Sequence, residues 1–269
     1  DHVPECALNP AEGFYFPKDS VLSGEELTFA MAVSNIGEYD MDSLLMGYTV
    51  LRGNQRMSQT IVRFDSLRVG ETLLDTVYIP TDGLTGEFIL EIEANTIDPQ
   101  FNRYDQREQY RFNNRYQTRI FIKDDQINPV LDVTFDGQHI LDGDLVSATP
   151  VIRASLDDEN PFLLMDELAD TTSFKVFLTD PNAQQVPLYF SEDNVTWIPA
   201  GGENKSAFEY YPSFTTNGIY ELLVQGQDKS GNSSGSLDYR VSFEVILESS
   251  ITDVLNYPNP FTTSTQFVF

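Results

Sequence analysis

The sequence predicts an all-β chain folded as tandem β-sandwiches followed by the first strand of a further module. Apolar residues recur with a period of two almost throughout, and Asp-Gly, Asn-Gly and Ser-Gly-Asn turns interrupt them at short intervals. No stretch holds a helical period for long. Short strands with such turns build sandwiches.

The first clear strand opens at Glu25-Glu26-Leu27, where Leu27, Phe29, Met31 and Val33 alternate with Thr28, Ala30 and Ala32. Asn35-Ile36-Gly37 ends it, and Asp82-Gly83 marks a later turn. Phe88, Leu90, Ile92 and Ala94 then alternate with Ile89, Glu91 and Glu93, the pattern of a strand with one wet face. Phe112-Asn113-Asn114 leads into the strand that holds Ile120 and Ile122. The charged stretch Lys123-Asp124-Asp125 followed by Asn128-Pro129 places a domain boundary there, so residues 1–127 form the first sandwich.

The second sandwich, residues 128–247, has turns at Asp136-Gly137, Asp142-Gly143, Asn217-Gly218 and Ser230-Gly231-Asn232. Residues 157–171 read as a long connection with room for a single helical turn. Tyr239, Val241, Phe243, Val245 and Leu247 alternate with Arg240, Ser242, Glu244 and Ile246 in the cleanest strand of the chain. Phe208, Tyr210, Tyr211 and Phe214, with Trp197, are expected to fill this core, although an exposed row of them would suit carbohydrate or a partner. Residues 248–269 open a third module. There Pro258 and Pro260 hold the chain extended, and Phe267 and Phe269 share one face of a strand expected to have no partner within the chain.

Acidic residues outnumber basic ones by 42 to 16, a formal charge of −26. Nucleic acid and anionic membrane surfaces are therefore poor partners, because both bind through Lys and Arg. No apolar run is long enough for a membrane-crossing helix, so direct membrane insertion is not expected. Residues 128–250 hold only Arg153, Lys175, Lys205, Lys229 and Arg240, whereas Arg103, Arg107, Arg111, Arg115 and Arg119 cluster in the first module. Cys6 is the single cysteine, which leaves no internal disulfide to form.

Nucleophilic catalysis would have to draw on Cys6, His2 and His139. Cys6 lies in a proline-flanked strap and His139 beside a turn, so no catalytic residue is assigned and no enzyme activity is expected of this segment. No cofactor or metal is expected, and calcium is the one candidate. Asp157, Asp158 and Glu159, followed by Asn160, gather oxygen ligands in one loop, and Ca²⁺ takes six to eight oxygens. The same residues are what turns use to bond their own backbone, and no EF-hand spacing is present.

Tyr257-Pro258-Asn259-Pro260-Phe261, followed by Thr262-Thr263-Ser264-Thr265 and an aromatic strand, resembles the start of the C-terminal sorting domain of type IX secretion substrates of Bacteroidota. Asp228-Lys229-Ser230-Gly231-Asn232 with the strand from Tyr239 is similar to the final hairpin of the bacterial immunoglobulin-like modules that precede such tails. Leu131 to Gly137 and Ile140 to Ser147 resemble the region after the peptidase domain of large gingipain-like, sortase-related proteins. Residues 1–127 resemble the adhesion-like modules repeated in bacterial surface proteins.

The resemblance implies tandem immunoglobulin-like sandwiches acting as a spacer and export region of a secreted or cell-surface protein, cut within its sorting domain. Its partners would be the outer-membrane components of type IX secretion and upstream domains of the same polypeptide. Two other roles stay open: the accessory region of a gingipain-like cysteine peptidase whose catalytic domain lies upstream, and an adhesion or glycan-binding module. The resemblance further implies O-glycosylation at Asp followed by Ser or Thr and a small or aliphatic residue. Ser20, Ser43, Ser66, Thr76 and Thr171 meet that pattern.

Overall fold

A computed structural model describes residues 3–18, 20–247, 255–257 and 266–268. The chain divides into two compact units, Asp1–Gln126 and Ile127–Phe269. Each is an immunoglobulin-like β-sandwich.

In the first unit the elements run β1 (Cys6–Leu8), a helical turn α1 (Pro10–Gly13), β2 (Ser20–Leu22), β3 (Leu27–Asn35), β4 (Leu44–Arg52), β5 (Gln55–Phe64), β6 (Thr72–Ile79), β7 (Gly86–Ala94), β8 (Ile97–Asp98), β9 (Arg103–Tyr104) and β10 (Arg115–Lys123). One sheet has the order β1-β3-β6 and the other β2-β10-β7-β4-β5. The alternation read at Leu27 and at Phe88 is what buries one face of each sheet. Phe29, Met31, Val77 and Ile79 meet Tyr48, Phe88, Leu90, Ile92 and Ile122 in a single core. Phe29 and Tyr48 touch edge to face across the two sheets, with ring centroids 6.1 Å apart.

The second unit contains β11 (Val130–Phe135), β12 (Asp144–Val146), β13 (Ile152–Asp157), a 3-10 turn (Leu168–Ser173), β14 (Phe174–Thr179), β15 (Gln185–Pro187), β16 (Val195–Ile198), β17 (Lys205–Tyr210), β18 (Gly218–Gly226) and β19 (Tyr239–Val245). Its sheets are β11-β13-β17-β16 and β12-β19-β18-β14-β15. Asp136 and Gly137 both have positive φ, 49° and 78°, as a tight hairpin turn demands. The single helical turn forms at the far end of its connection. Aromatics dominate this core: Phe174 contacts Phe208 at 5.3 Å and Phe135 contacts Phe243 at 5.1 Å. Phe208, Tyr210 and Phe214 are buried there and Trp197 packs against them, whereas Tyr211 faces solvent.

Both units use the same closing device. A short early strand leaves the sheet of its neighbours and pairs parallel with the last strand: Val21 lies opposite Ile122 in the first unit, and Leu145 opposite Glu244 in the second.

Residues 255–257 and 266–268 correct one expectation. The closing strand has a partner, because β20 (Leu255–Tyr257) and β21 (Gln266–Val268) pair antiparallel with Leu255 opposite Val268.

Candidate functional site

The most elaborate surface feature is the connection between β7 and β10, residues 95–114. It starts at Asn95, fully buried and at φ 52°, a left-handed conformation that Asn tolerates better than most residues. Its side chain then imitates a strand. Asn95 Oδ1 accepts from the Gln106 N–H at 2.7 Å, and Nδ2 donates to the Gln106 carbonyl at 2.9 Å. Thr96 lies over β4, where its N–H donates to the Leu45 carbonyl, and the side chain fits against Gly47.

Glu108 organises the return half. Its Oε1 accepts from the Cys6 N–H at 2.6 Å, while Oε2 accepts from Asn114 Nδ2 at 2.6 Å and from Asn95 Nδ2. Glu5 holds the next two residues through the N–H groups of Gln109 and Tyr110. On the other flank Arg63 of β5 pairs with Asp98 at 2.6 Å and Asp105 at 2.5 Å, and Ser43 donates to Asp105. The acids of the connection are thus turned inward and occupied. The outward side carries Arg111, stacked 3.4 Å above the Tyr104 ring, beside Tyr110 and Phe112, which touch at 5.9 Å. Phe112 is 83% exposed and Tyr110 52%.

In the sequence, Arg103, Arg107 and Arg111 stood out as charge. What went unread was their interleaving with Phe101, Tyr104, Tyr110 and Phe112.

Of the expected calcium ligands, Asp158 and Glu159 lie together and Asp157 points away. β13 ends at Asp157, and side chains alternate along a strand. Asp157 therefore faces solvent and pairs with Lys205 at 3.1 Å, whereas Asp158 turns inward. Asp158 accepts from Asn204 Nδ2 at 2.9 Å, and of the three expected ligands it and the exposed Glu159 have carboxylate oxygens within 4.8 Å of each other. Asn204 is the hub of this loop. Its Nδ2 also donates to the carbonyls of Asn160 and Leu163, and Oδ1 accepts from the Met165 N–H at 2.9 Å.

No catalytic dyad is assembled from the described groups. Cys6 is fully buried in β1, and burial, then the neighbouring Glu108 carboxylate, pushes its thiol far above the ordinary value. His139 is exposed and bonds Asp132 at 2.7 Å, on the second unit. His2 lies outside the described residues, as do Pro258, Asn259, Pro260 and Phe261 of the sorting stretch. Tyr257 ends β20.

The five glycosylation candidates occupy different settings. Ser66 and Thr76 are exposed, Thr76 on the outer face of the edge strand β6. Ser20 is half-buried in β2. Ser43 Oγ accepts from Arg63 at 3.0 Å besides donating to Asp105, so a glycan there would displace a network. Thr171 Oγ1 donates to the Leu168 carbonyl at 2.8 Å within the 3-10 turn.

No family model matches the sequence, and no curated protein matches it. Among solved structures the chain is similar to the CARDB domain of a Pyrococcus furiosus protein, a structure described as a complex with di-metal ions. The TM-score is 0.32 at 16% identity, covering 46% of this chain and 96% of that one.

Proposed function

We propose that this chain is a β-sandwich spacer and export region of a secreted or cell-surface protein, and that it carries the start of a C-terminal type IX secretion signal. The observation that carries the reading is the stretch Tyr257-Pro258-Asn259-Pro260-Phe261, set after two sandwiches in an acidic chain with one cysteine. Its support is the resemblance of that stretch to sorting domains, together with the immunoglobulin-like hairpin at Asp228 to Asn232, where Asp228 Oδ1 accepts the Asn232 N–H at 2.8 Å. The sandwiches would separate an upstream domain from the tail, and outer-membrane components of the secretion machinery would read the tail.

Removing residues 248–269 and whatever follows them from the full-length protein in its native host tests this. Retention inside the cell is the expected result; normal export would overturn the reading. Under the same reading we propose O-glycosylation, with Ser66 and Thr76 as the accessible acceptors. An intact mass equal to the bare polypeptide, measured on protein from that host, would overturn it.

A further inference from the structure

We infer that the β7–β10 connection is a docking surface for a short acidic segment of another protein, with Arg111 as the anchor for a carboxylate. This goes beyond spacing and export and depends on neither.

The first ground is composition. Exposed Tyr and Phe interleaved with Arg, without Lys, is the make-up of protein interfaces and of the residues that dominate their energetics. The second is charge state. The chain has 42 acids for 16 bases, yet among the described residues none of Arg103, Arg107 and Arg111 lies in an ion pair. The nearby acids are engaged elsewhere: Asp105 by Arg63, Glu108 by Cys6, Asn95 and Asn114, and Glu5 through Oε2 by two backbone N–H groups, with its Oε1 buried. Stacking on Tyr104 holds Arg111 in place while leaving its N–H edge open to a carboxylate. The third is fixation. The connection is tied down at Asn95, Asp98, Asp105 and Glu108, so presenting the patch costs little ordering on binding.

The overall charge selects the kind of anion. An extended polyanion meets the field of a −26 chain. A short segment with one or two carboxylates between apolar residues meets the arginines within a screening length of about 8 Å at physiological salt. Glu38 and Glu5, which with Tyr110 line a cleft of about 350 Å³ beside the patch, further disfavour a long acidic run.

The test is fluorescence anisotropy on the whole chain with a labelled peptide alternating Glu and Phe, against the same peptide with Gln for Glu, polyglutamate, and polygalacturonate. Saturable binding of the Glu/Phe peptide is expected, weakened about tenfold or more by Gln replacement and by Arg111→Ala, with Arg111→Lys intermediate. Tyr110→Ala with Phe112→Ala should weaken it comparably; these side chains are exposed, and an unchanged melting curve confirms that the variants fold. Absence of binding, equal binding of the Glu and Gln peptides, or equal binding by Arg111→Ala overturns the proposal. Preference for polyglutamate or polygalacturonate also overturns it, in favour of a general anion site.

Discussion

The backbone N–H of Cys6 donates to Glu108 Oε1 at 2.6 Å, joining β1 to a connection 102 residues further along the chain. The same carboxylate holds the side-chain amides of Asn95 and Asn114, so one acid closes both ends of the β7–β10 connection and secures the N-terminal strand.

Glu108→Ala leaves those donors without their acceptor in a part-buried setting. We expect a loss of about 2 to 4 kcal/mol from the first unit, read by urea unfolding, with Glu108→Gln intermediate because it keeps one carbonyl oxygen.

Cys6 should behave as an inert thiol. The folded chain at pH 8 is expected to react with a disulfide reagent only as fast as it opens, and to react at once in guanidinium. Immediate labelling of the folded protein would contradict the burial of β1.

Tyr48 offers the opposite kind of test. Its hydroxyl is buried in the first core with no hydrogen-bond partner among the described residues, and burial, then Asp75, raises its pKa. Tyr48→Phe keeps the ring and removes the orphan group, so it should stabilise the unit by about 1 kcal/mol. Tyr48→Ala should cost about 3 to 5 kcal/mol through the cavity it opens.

Asn204→Ala removes the hub of the loop after β13. The expected cost to the second unit is about 2 to 4 kcal/mol, and the N–H of Met165 should lose much of its protection from hydrogen exchange.

Glu209 sets a pH dependence. Hydrogen bonds from Tyr211 and then Arg153 hold its carboxyl below the ordinary value of 4.5. A depressed carboxylate contributes stability that is present above its unfolded value and is lost as pH falls through the folded one. The difference in melting temperature between the native chain and Glu209→Gln should therefore be full at pH 6 and shrink below pH 4.5. Asp180, held down first by the N–H of Gln184, acts in the same direction.

Strands with one wet face were readable from the sequence: Leu27 to Val33, Phe88 to Ala94 and Tyr239 to Val245 all alternate, and all form. β4 was not readable, because residues 44–50 are buried without alternation. Its outer face lies under the β7–β10 connection, with Thr96 seated against Gly47. A strand covered on both faces loses the period of two that would reveal it. The candidate surface was hidden for a related reason. Arg111 and Tyr104 are seven residues apart with no regular period between them, and long-range bonds at Asn95, Asp98, Asp105 and Glu108 fold the stretch in which they stack. Asp157 and Asp158 show the converse, since at the end of β13 adjacency in sequence sends neighbouring side chains to opposite sides.

The parallel pairing of β2 with β10, and of β12 with β19, has a mechanical consequence. When a chain is pulled from its two ends and β1 or β11 has peeled away, a parallel pair of an early strand and the last strand is drawn in opposite directions along its own length. Their hydrogen bonds are then loaded in shear and have to break together rather than unzip one at a time. Each sandwich thereby keeps a clamp that resists tension after its first strand has come away.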